Sequence, residues 1–230
     1  MDRVTPREMS PLHCQHITCR RPAWNGQAAR VIEDFSEHFE SGTVTAFFDS
    51  GDGSSSLLLG ILGMIEPPDS GTIRVLGQAV HEMNSGDAHR LRDSSFGYLF
   101  THPHLLPSFT VAENIAMPYL RLCNASIDLA RDRVAEVLGV AGLDTSCANL
   151  AVAELDEEGQ WRTAFARAIV HNPKILITVS PAAPFLLPLA KSHARETGTT
   201  VLWNADAEIA TSQCDRTLSP SKRSTIIASP

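Results

Sequence analysis

The sequence predicts an α/β fold in which a parallel sheet core carries an antiparallel β subdomain and an inserted helical subdomain. Strand-like and helix-like segments alternate before residue 101 and again after residue 170, as they do in βαβ units. A run of helical patterns over residues 101–169 interrupts this alternation, which indicates an insertion between strands. Short apolar alternation near the N-terminus indicates strands that pair antiparallel.

The first elements form the β-rich part of this prediction. Residues 12–18 and 29–39 alternate apolar and polar side chains around a polar stretch that contains Arg20-Arg21-Pro22 and Asn25-Gly26, so they predict an antiparallel pair. Residues 43–48 are a compact β-rich run of the kind that is buried in a parallel sheet.

The next elements alternate between helix and strand. Residues 54–64 have helical periodicity, and the Pro67-Pro68 pair that follows sets a limit to this helix. Residues 71–78 predict a strand with a terminal glycine turn, residues 88–94 a short helix and residues 96–100 a further strand.

The second half of the chain predicts three helices and then a return to alternation. The helices cover residues 111–123, 127–138 and 156–170. After them, strands and helices alternate in the order 175–179, 184–195, 200–203 and 207–214. Residues 219–230 are rich in Ser and Pro and predict a loosely ordered tail.

Composition excludes several classes of function. The 230 residues carry a formal net charge of -7, which argues against sequence-independent nucleic-acid binding because such proteins need clustered Lys and Arg. Residues 1–10 have no apolar core of a signal peptide, and the apolar stretch 57–65 is too short to span a bilayer. We therefore expect no direct membrane insertion.

The five cysteines are scattered and show no C-x-x-C spacing, as is typical of reduced packing residues in a cytosolic protein. Cys14 and Cys19 lie near His13 and His16, which allows a metal site as an alternative. The spacing fits alternation along a strand, and we predict packing residues and no metal.

A glycine-rich turn over residues 48–56 lies between the strand 43–48 and the helix 54–64. It has the shape of a phosphate-binding loop, G-x-x-x-x-G-K-[ST], whose backbone N–H groups cradle phosphates at a helix N-terminus. Phe48 stands in place of the first Gly, and Ser54 in place of the Lys. A tight turn before an N-capped helix fits this stretch equally well. The three lysines, Lys174, Lys191 and Lys222, all lie far from it in sequence.

Several segments between the motifs, taken in order, resemble the ATP-binding subunits of ABC transporters, most closely the lipoprotein-releasing and macrolide-efflux branch. These segments are residues 60–63, 66–73, 104–115, 164–170, 172–176 and 196–202. The resemblance implies a P-loop NTPase-like (RecA-like) core within one ABC ATPase-like domain, 1–230. Residues 1–100 and 171–218 would form the α/β core with its β subdomain, and residues 101–170 the helical subdomain.

The resemblance also assigns the site residues, and most of them depart from the family pattern. Asp156, Glu157 and Glu158 replace the serine and two glycines of the L-S-G-G-x-Q signature. The degenerate P-loop positions are Ser50, Gly51, Gly53, Ser54, Ser55 and Ser56, of which Ser54 has lost the lysine and the others keep family-like residue types. The signature covers Leu155, Asp156, Glu157, Glu158, Gly159 and Gln160. The position of the adenine-stacking aromatic falls near Arg21, with Trp24 as the candidate substitute. Thr101 stands for the Q-loop glutamine, Val179 and Ser180 for the Walker B aspartate and glutamate, and Ala205 for the switch histidine.

These departures predict a subunit without catalytic residues. Phosphoryl transfer depends on positioned charge, and each lost donor costs on the order of 10²-fold in rate. We expect ATP and Mg²⁺ binding to be weak or lost. The resemblance implies docking on a transmembrane permease at the cytoplasmic face of the inner (plasma) membrane and pairing with a competent ATPase, as a heterodimer rather than a homodimer. A slow or partner-rescued ATPase, supported by the retained serines, glycines and Gln160, and a pseudoenzyme scaffold or regulator are the alternatives.

Overall fold

The computed structural model describes residues 10–23, 29–48, 53–178, 183–205 and 213–220. Within these ranges the chain forms nine strands, which make up two sheets, and six α-helices. In chain order they are β1 (Leu12–Arg21), β2 (Arg30–Phe39), β3 (Val44–Phe47), α1 (Ser54–Leu62), β4 (Ser70–Val75), β5 (Gln78–Ala79), α2 (Ser85–Ser95), β6 (Phe96–Leu99), α3 (Val111–Cys123), α4 (Ile127–Val140), α5 (Glu157–Ile169), β7 (Ile175–Thr178), α6 (Leu187–Thr197), β8 (Thr200–Asn204) and β9 (Arg216–Leu218).

The first sheet is antiparallel, with the strand order β2-β1-β4-β5. Leu12 of β1 lies opposite Phe39 of β2 and Val75 of β4, and all three side chains are fully buried. Because successive side chains of a strand point to opposite faces, this register keeps one face apolar and leaves the other to solvent.

The second sheet is parallel, with the strand order β6-β7-β8-β3-β9. All four residues of β3 and of β7 are buried, as expected for strands covered on both faces. Val44 and Ala46 pack in a core with α5 and α6, whereas Phe47 faces a second core that contains α1 and the antiparallel sheet. Helix α1 therefore lies between the two sheets, and the end of β3 leads directly to it.

Helices α3, α4 and α5 follow β6 and precede β7 along the chain, as the helical pattern predicted, and they pack against one another. Thr110 and Glu113 form a capping box at the start of α3, in which each side chain accepts the other residue's backbone N–H. Ser126 accepts the N–H of Leu129 at the start of α4, at 3.3 Å. The buried residues Ile115, Val134 and Phe165 join the three helices in one core.

The predicted α/β architecture is confirmed, with corrections to individual elements. The predicted strand 71–78 with its terminal glycine turn is found as β4, which ends at Val75 before the turn, and the turn is followed by the two-residue β5, which was not predicted. Arg20 and Arg21 belong to β1 and not to a turn. The predicted helix 184–195 begins as a separate 3-10 turn, Pro184–Leu186, before α6. Strand β9 was not predicted at all.

Most of the predicted helix 207–214 and all but residues 219 and 220 of the predicted tail lie outside the described residues. In the part of the chain that the structure describes, no helix has the length and apolar character needed to cross a membrane.

Cys14 and Cys19 both lie on the buried face of β1. Strict alternation would put residues five positions apart on opposite faces, so that part of the prediction is wrong. The two side chains share a face because the pairing of β1 with β2 shifts register between them. Burial raises the pKa of the Cys14 thiol to about 12, so this thiol is protonated at neutral pH. Within the described ranges, no group of three or more His, Cys, Asp or Glu side chains is arranged to hold a metal ion.

Candidate functional site

The candidate site begins where the carboxyl end of β3 turns into α1. Gly53 precedes the helix in the left-handed conformation, at φ 78°, which is accessible to glycine and strained for other residues. The N–H of Leu57 donates to the Gly53 carbonyl at 3.1 Å and closes the first helical turn. Ser54 and Ser55 are completely buried in this turn, which contains no acidic side chain.

The carboxyl end of β8 brings Asn204 and Ala205 to the same edge of the sheet. The N–H of Ala205 donates to the Phe47 carbonyl at 3.0 Å, and the amide of Asn204 donates to the Ser56 hydroxyl at 3.2 Å. The Ser56 hydroxyl is thereby joined to the end of the strand that Ala205 follows. Ala205 contributes only a buried methyl group, which neither donates nor accepts a hydrogen bond.

The signature-position residues form the start of α5. Asp156 is the N-cap, and its carboxylate accepts the N–H of Gly159 at 2.8 Å. The Glu158 carboxylate forms an ion pair with Arg162 one turn later, with 2.7 Å between Oε1 and Nη2. The side-chain amide of Gln160 donates to the Leu155 carbonyl at 3.1 Å. This helix N-terminus, which would attract an external anion, already holds a carboxylate of its own chain.

Thr101 follows β6 and is exposed. The two residues after His102 are fixed by Arg167 of α5, whose guanidinium donates to the carbonyls of Pro103 and His104, each at 2.7 Å. The segment after Thr101 is thereby tied to the same helix that begins with Asp156.

The other predicted site residues lie outside the described residues: Trp24, Ser50, Gly51, Val179 and Ser180. Thus the structure places Gly53, Ser54, Ser55, Ser56 and Ala205 at one sheet edge and the signature residues at a helix start.

Sequence reasoning missed three residues that shape the site. Asn204 and Arg167 act through contacts 148 and 63 residues away along the chain, so no local pattern could reveal them. Arg30, at the start of β2, lays its aliphatic stem on the Gly53 turn: a Cβ built on Gly53 would lie 3.2 Å from the Arg30 Cδ. The sequence feature that could have drawn attention to Arg30 is a charged side chain at the start of a strand that otherwise alternates apolar and polar residues.

A separate groove of about 750 Å³ lies between α3, α4 and the 3-10 turn Thr145–Asn149. Its walls are mostly apolar and include the exposed side chains of Met117, Leu120 and Ile127. Glu113 and Arg131 are the charged side chains among the described residues of its lining.

A family profile described as ABC transporter matches residues 32–183. The lipoprotein-releasing system ATP-binding protein LolD of Blochmanniella floridana is 28% identical over 174 residues, which is 76% of this chain and 73% of that protein. This similarity supports the lipoprotein-releasing branch.

Solved structures share the fold at low identity. The dimeric structure of MJ0796, a bacterial ABC transporter cassette, gives a TM-score of 0.79 at 22% identity and covers 94% of this chain and 98% of that one. The same cassette in a post-hydrolysis state bound to ADP and Pi gives a TM-score of 0.78 at 21% identity and covers 94% of this chain and 98% of that one. The protein cbiO1 of Clostridium perfringens gives a TM-score of 0.77 at 21% identity and covers 91% of this chain and 84% of that one. From the sequence match and the shared fold, the chain belongs to the ABC transporter family, as an ATP-binding cassette domain.

Proposed function

We propose that this chain is a non-catalytic cassette subunit of an ABC transporter, which docks on a transmembrane permease and pairs with a second, competent ATPase subunit. The observation that carries the proposal is the start of α5, where Asp156 caps its own helix and Glu158 pairs with Arg162. A helix start that is capped in this way presents a carboxylate of its own chain to a nucleotide phosphate, and like charges repel.

The turn at Gly53 before α1, which stands at the P-loop position, supports the same conclusion. Ser54 is neutral and buried where a P-loop lysine would meet the phosphates, and Ala205 brings a methyl group where a histidine would act. Helix α1 still offers its N-terminus to an anion, which is worth about 0.3–1 kcal/mol at an exposed site. We infer that the described residues do not fit Mg-ATP, and that nucleotide binding is weak or absent.

The groove between α3 and α4 supports the docking part of the proposal. Its exposed Met and Leu side chains form an apolar lining with one acidic and one basic residue, which suits the apolar face of an amphipathic helix. We propose that a cytoplasmic helix of the permease is its occupant. Such docking would hold the chain at the cytoplasmic face of the inner membrane.

Co-purification of the tagged chain from membranes tests the assembly. We expect a permease and a second ATPase in the complex. Ile127→Glu, at a 73% exposed groove residue, should release the permease, whereas Ile65→Glu, at a 44% exposed residue outside the groove lining, should not. A soluble complex without a membrane component would contradict the proposal and favour a scaffold.

Titration of the purified chain with Mg-ATP tests the loss of the nucleotide site. We expect no saturation in the micromolar range and no turnover. Turnover that Ser55→Ala abolishes would instead favour a slow ATPase. Micromolar binding that Arg30→Gln removes would identify Arg30 as a substitute cation, and would also contradict the proposal.

A further inference from the structure

His193 is a buried histidine on a helix face that is otherwise apolar. Its neighbours on the buried stripe of α6 are Leu187, Ala190 and Ala194, which recur at helical spacing. Only 3% of His193 is exposed, and its ring stands edge-on to Phe165 of α5, with 6.4 Å between ring centroids. The ring therefore bridges the helix that starts with Asp156 and the helix that follows β7.

The surroundings of the His193 ring are poorly suited to a positive charge. Nε2 of His193 is buried and has no hydrogen-bond partner among the described residues. Burial lowers the pKa of His193, and Arg133 lowers it further. A neutral ring is thus the form that the packing accepts.

The surrounding elements supply few charges that could compensate. Strand β8, strand β7 and the segment 183–186 contain no ionisable residue. Helix α5 contributes Phe165, and α4 contributes Arg133 together with Glu136. Glu136 and Glu196, the latter on α6 itself, favour the protonated ring, but their effect is smaller than that of burial.

We propose that His193 is an acid-sensitive latch, which holds α6 against α5 while the ring is neutral and loosens this junction when the ring is protonated. Because His193 binds a proton more readily in the unfolded chain than in the folded one, the stabilisation that the neutral ring gives to the folded chain is complete above about pH 6.5. This stabilisation is lost progressively as the pH falls below that value. The unfolding equilibrium constant should rise by up to about tenfold per pH unit below 6.5, until the folded pKa is reached. The proposal does not depend on nucleotide or permease.

Urea unfolding at pH 7.5 and 5.5 measures the contribution of the latch. We expect His193→Gln, which keeps a polar side chain but cannot titrate, to reduce the acid-induced rise in the unfolding equilibrium constant by up to about tenfold. His102→Gln, at an exposed histidine, should keep the full rise. His171 is half-buried and also has a pKa lowered by burial, so part of the rise remains in both variants. An unchanged rise in His193→Gln would overturn the proposal.

Imidazole NMR of the unsubstituted chain provides a test that does not require a variant to fold. The His193 ring signal should titrate below the signals of exposed histidines, and amide hydrogen exchange in α5 and α6 should accelerate at pH 5.5 beyond the intrinsic change in rate. A His193 signal that titrates near pH 6.5, or exchange in α5 and α6 that follows the intrinsic rate, would refute the latch.

Discussion

At the scale of single residues, Thr45 puts a hydroxyl group into the middle of the core. It is fully buried in β3, between Leu202 of β8 and Arg216 of β9 in the strand register, and its Oγ1 has no hydrogen-bond partner among the described residues. A buried hydroxyl without a partner carries a desolvation cost of about 1–3 kcal/mol.

Thr45→Val should therefore raise the free energy of unfolding by about 1 kcal/mol, because it removes this cost while it keeps the shape of the side chain. Urea unfolding followed by circular dichroism measures the change. Thr163→Val is the matched control: Thr163 is equally buried, but its hydroxyl donates to the Gly159 carbonyl at 2.8 Å, so this variant should lose stability. A loss of stability in Thr45→Val would show that its hydroxyl is satisfied.

Gly97 of β6 lies against the backbone of Ala168 in α5. A Cβ at this position would lie 2.2 Å from the Ala168 carbonyl oxygen, so Gly97→Ala must displace backbone and should lower the unfolding free energy by about 2 kcal/mol or more. Gly139→Ala, on an exposed position of α4 with no atom within 4 Å, should raise it by about 0.5–1 kcal/mol. The melting temperatures of the two variants should therefore shift in opposite directions. An equal shift in both variants would contradict the close packing of Gly97 against Ala168.

At the scale of elements, the helices depend on the residues that begin them. Helix α5 begins with an acidic cap, α4 with a serine and α3 with a threonine and glutamate pair, so each start satisfies N–H groups that have no partner inside the helix. The acidic residues at the start of α5 thus have a structural role as well as a position in the candidate site.

Asp156→Ala should lower the unfolding free energy by about 1 kcal/mol, because the N–H of Gly159 loses its acceptor. Asp156→Ser should keep most of that stability, since serine is also a good N-cap. Guanidinium unfolding compares the two variants. Equal stability of Asp156→Ala and the unsubstituted chain would mean that the cap contributes nothing.

At the scale of the whole molecule, α1 lies between the two sheets, and an ion pair among the described residues links their edges. Arg216 of β9 donates to the carboxylate of Glu37 on β2 and to the His38 carbonyl, and both charged side chains are mostly buried. Removal of one partner of a buried pair is costly because the other charge is left unpaired.

Arg216→Ala should therefore cost about 2–3 kcal/mol of unfolding free energy. Arg131→Ala, which breaks an exposed pair with Asp128, should cost less than about 0.5 kcal/mol. The double variant Arg216→Met, Glu37→Leu should recover much of the loss. If Arg216→Ala is no worse than Arg131→Ala, the ion pair does not stabilise the contact between the sheets.

The order of the main elements was predictable from sequence because periodicity is local. The pattern located α3 with its bounds unchanged and found β3, β7 and β8 from their apolar runs. Strand β9 escaped prediction because its three residues, which include Arg216, have no pattern of their own and depend on pairing with β3. In the site, the position of Ser54 followed from the turn, whereas the Asn204 to Ser56 contact depends on two strands that are adjacent only in the folded chain.

The self-capped start of α5 limits which sequences this helix start accepts. Because Asp156 contributes to helix stability, replacement of Asp156, Glu157 and Glu158 by a serine and two glycines would exchange two glutamates for glycines, each of which costs roughly 1 kcal/mol. Under the function proposed above, a lysine introduced at position 54 alone would face a helix start that does not cooperate with it. We therefore expect that an engineered ATPase site in this chain would need both helix starts to be changed together.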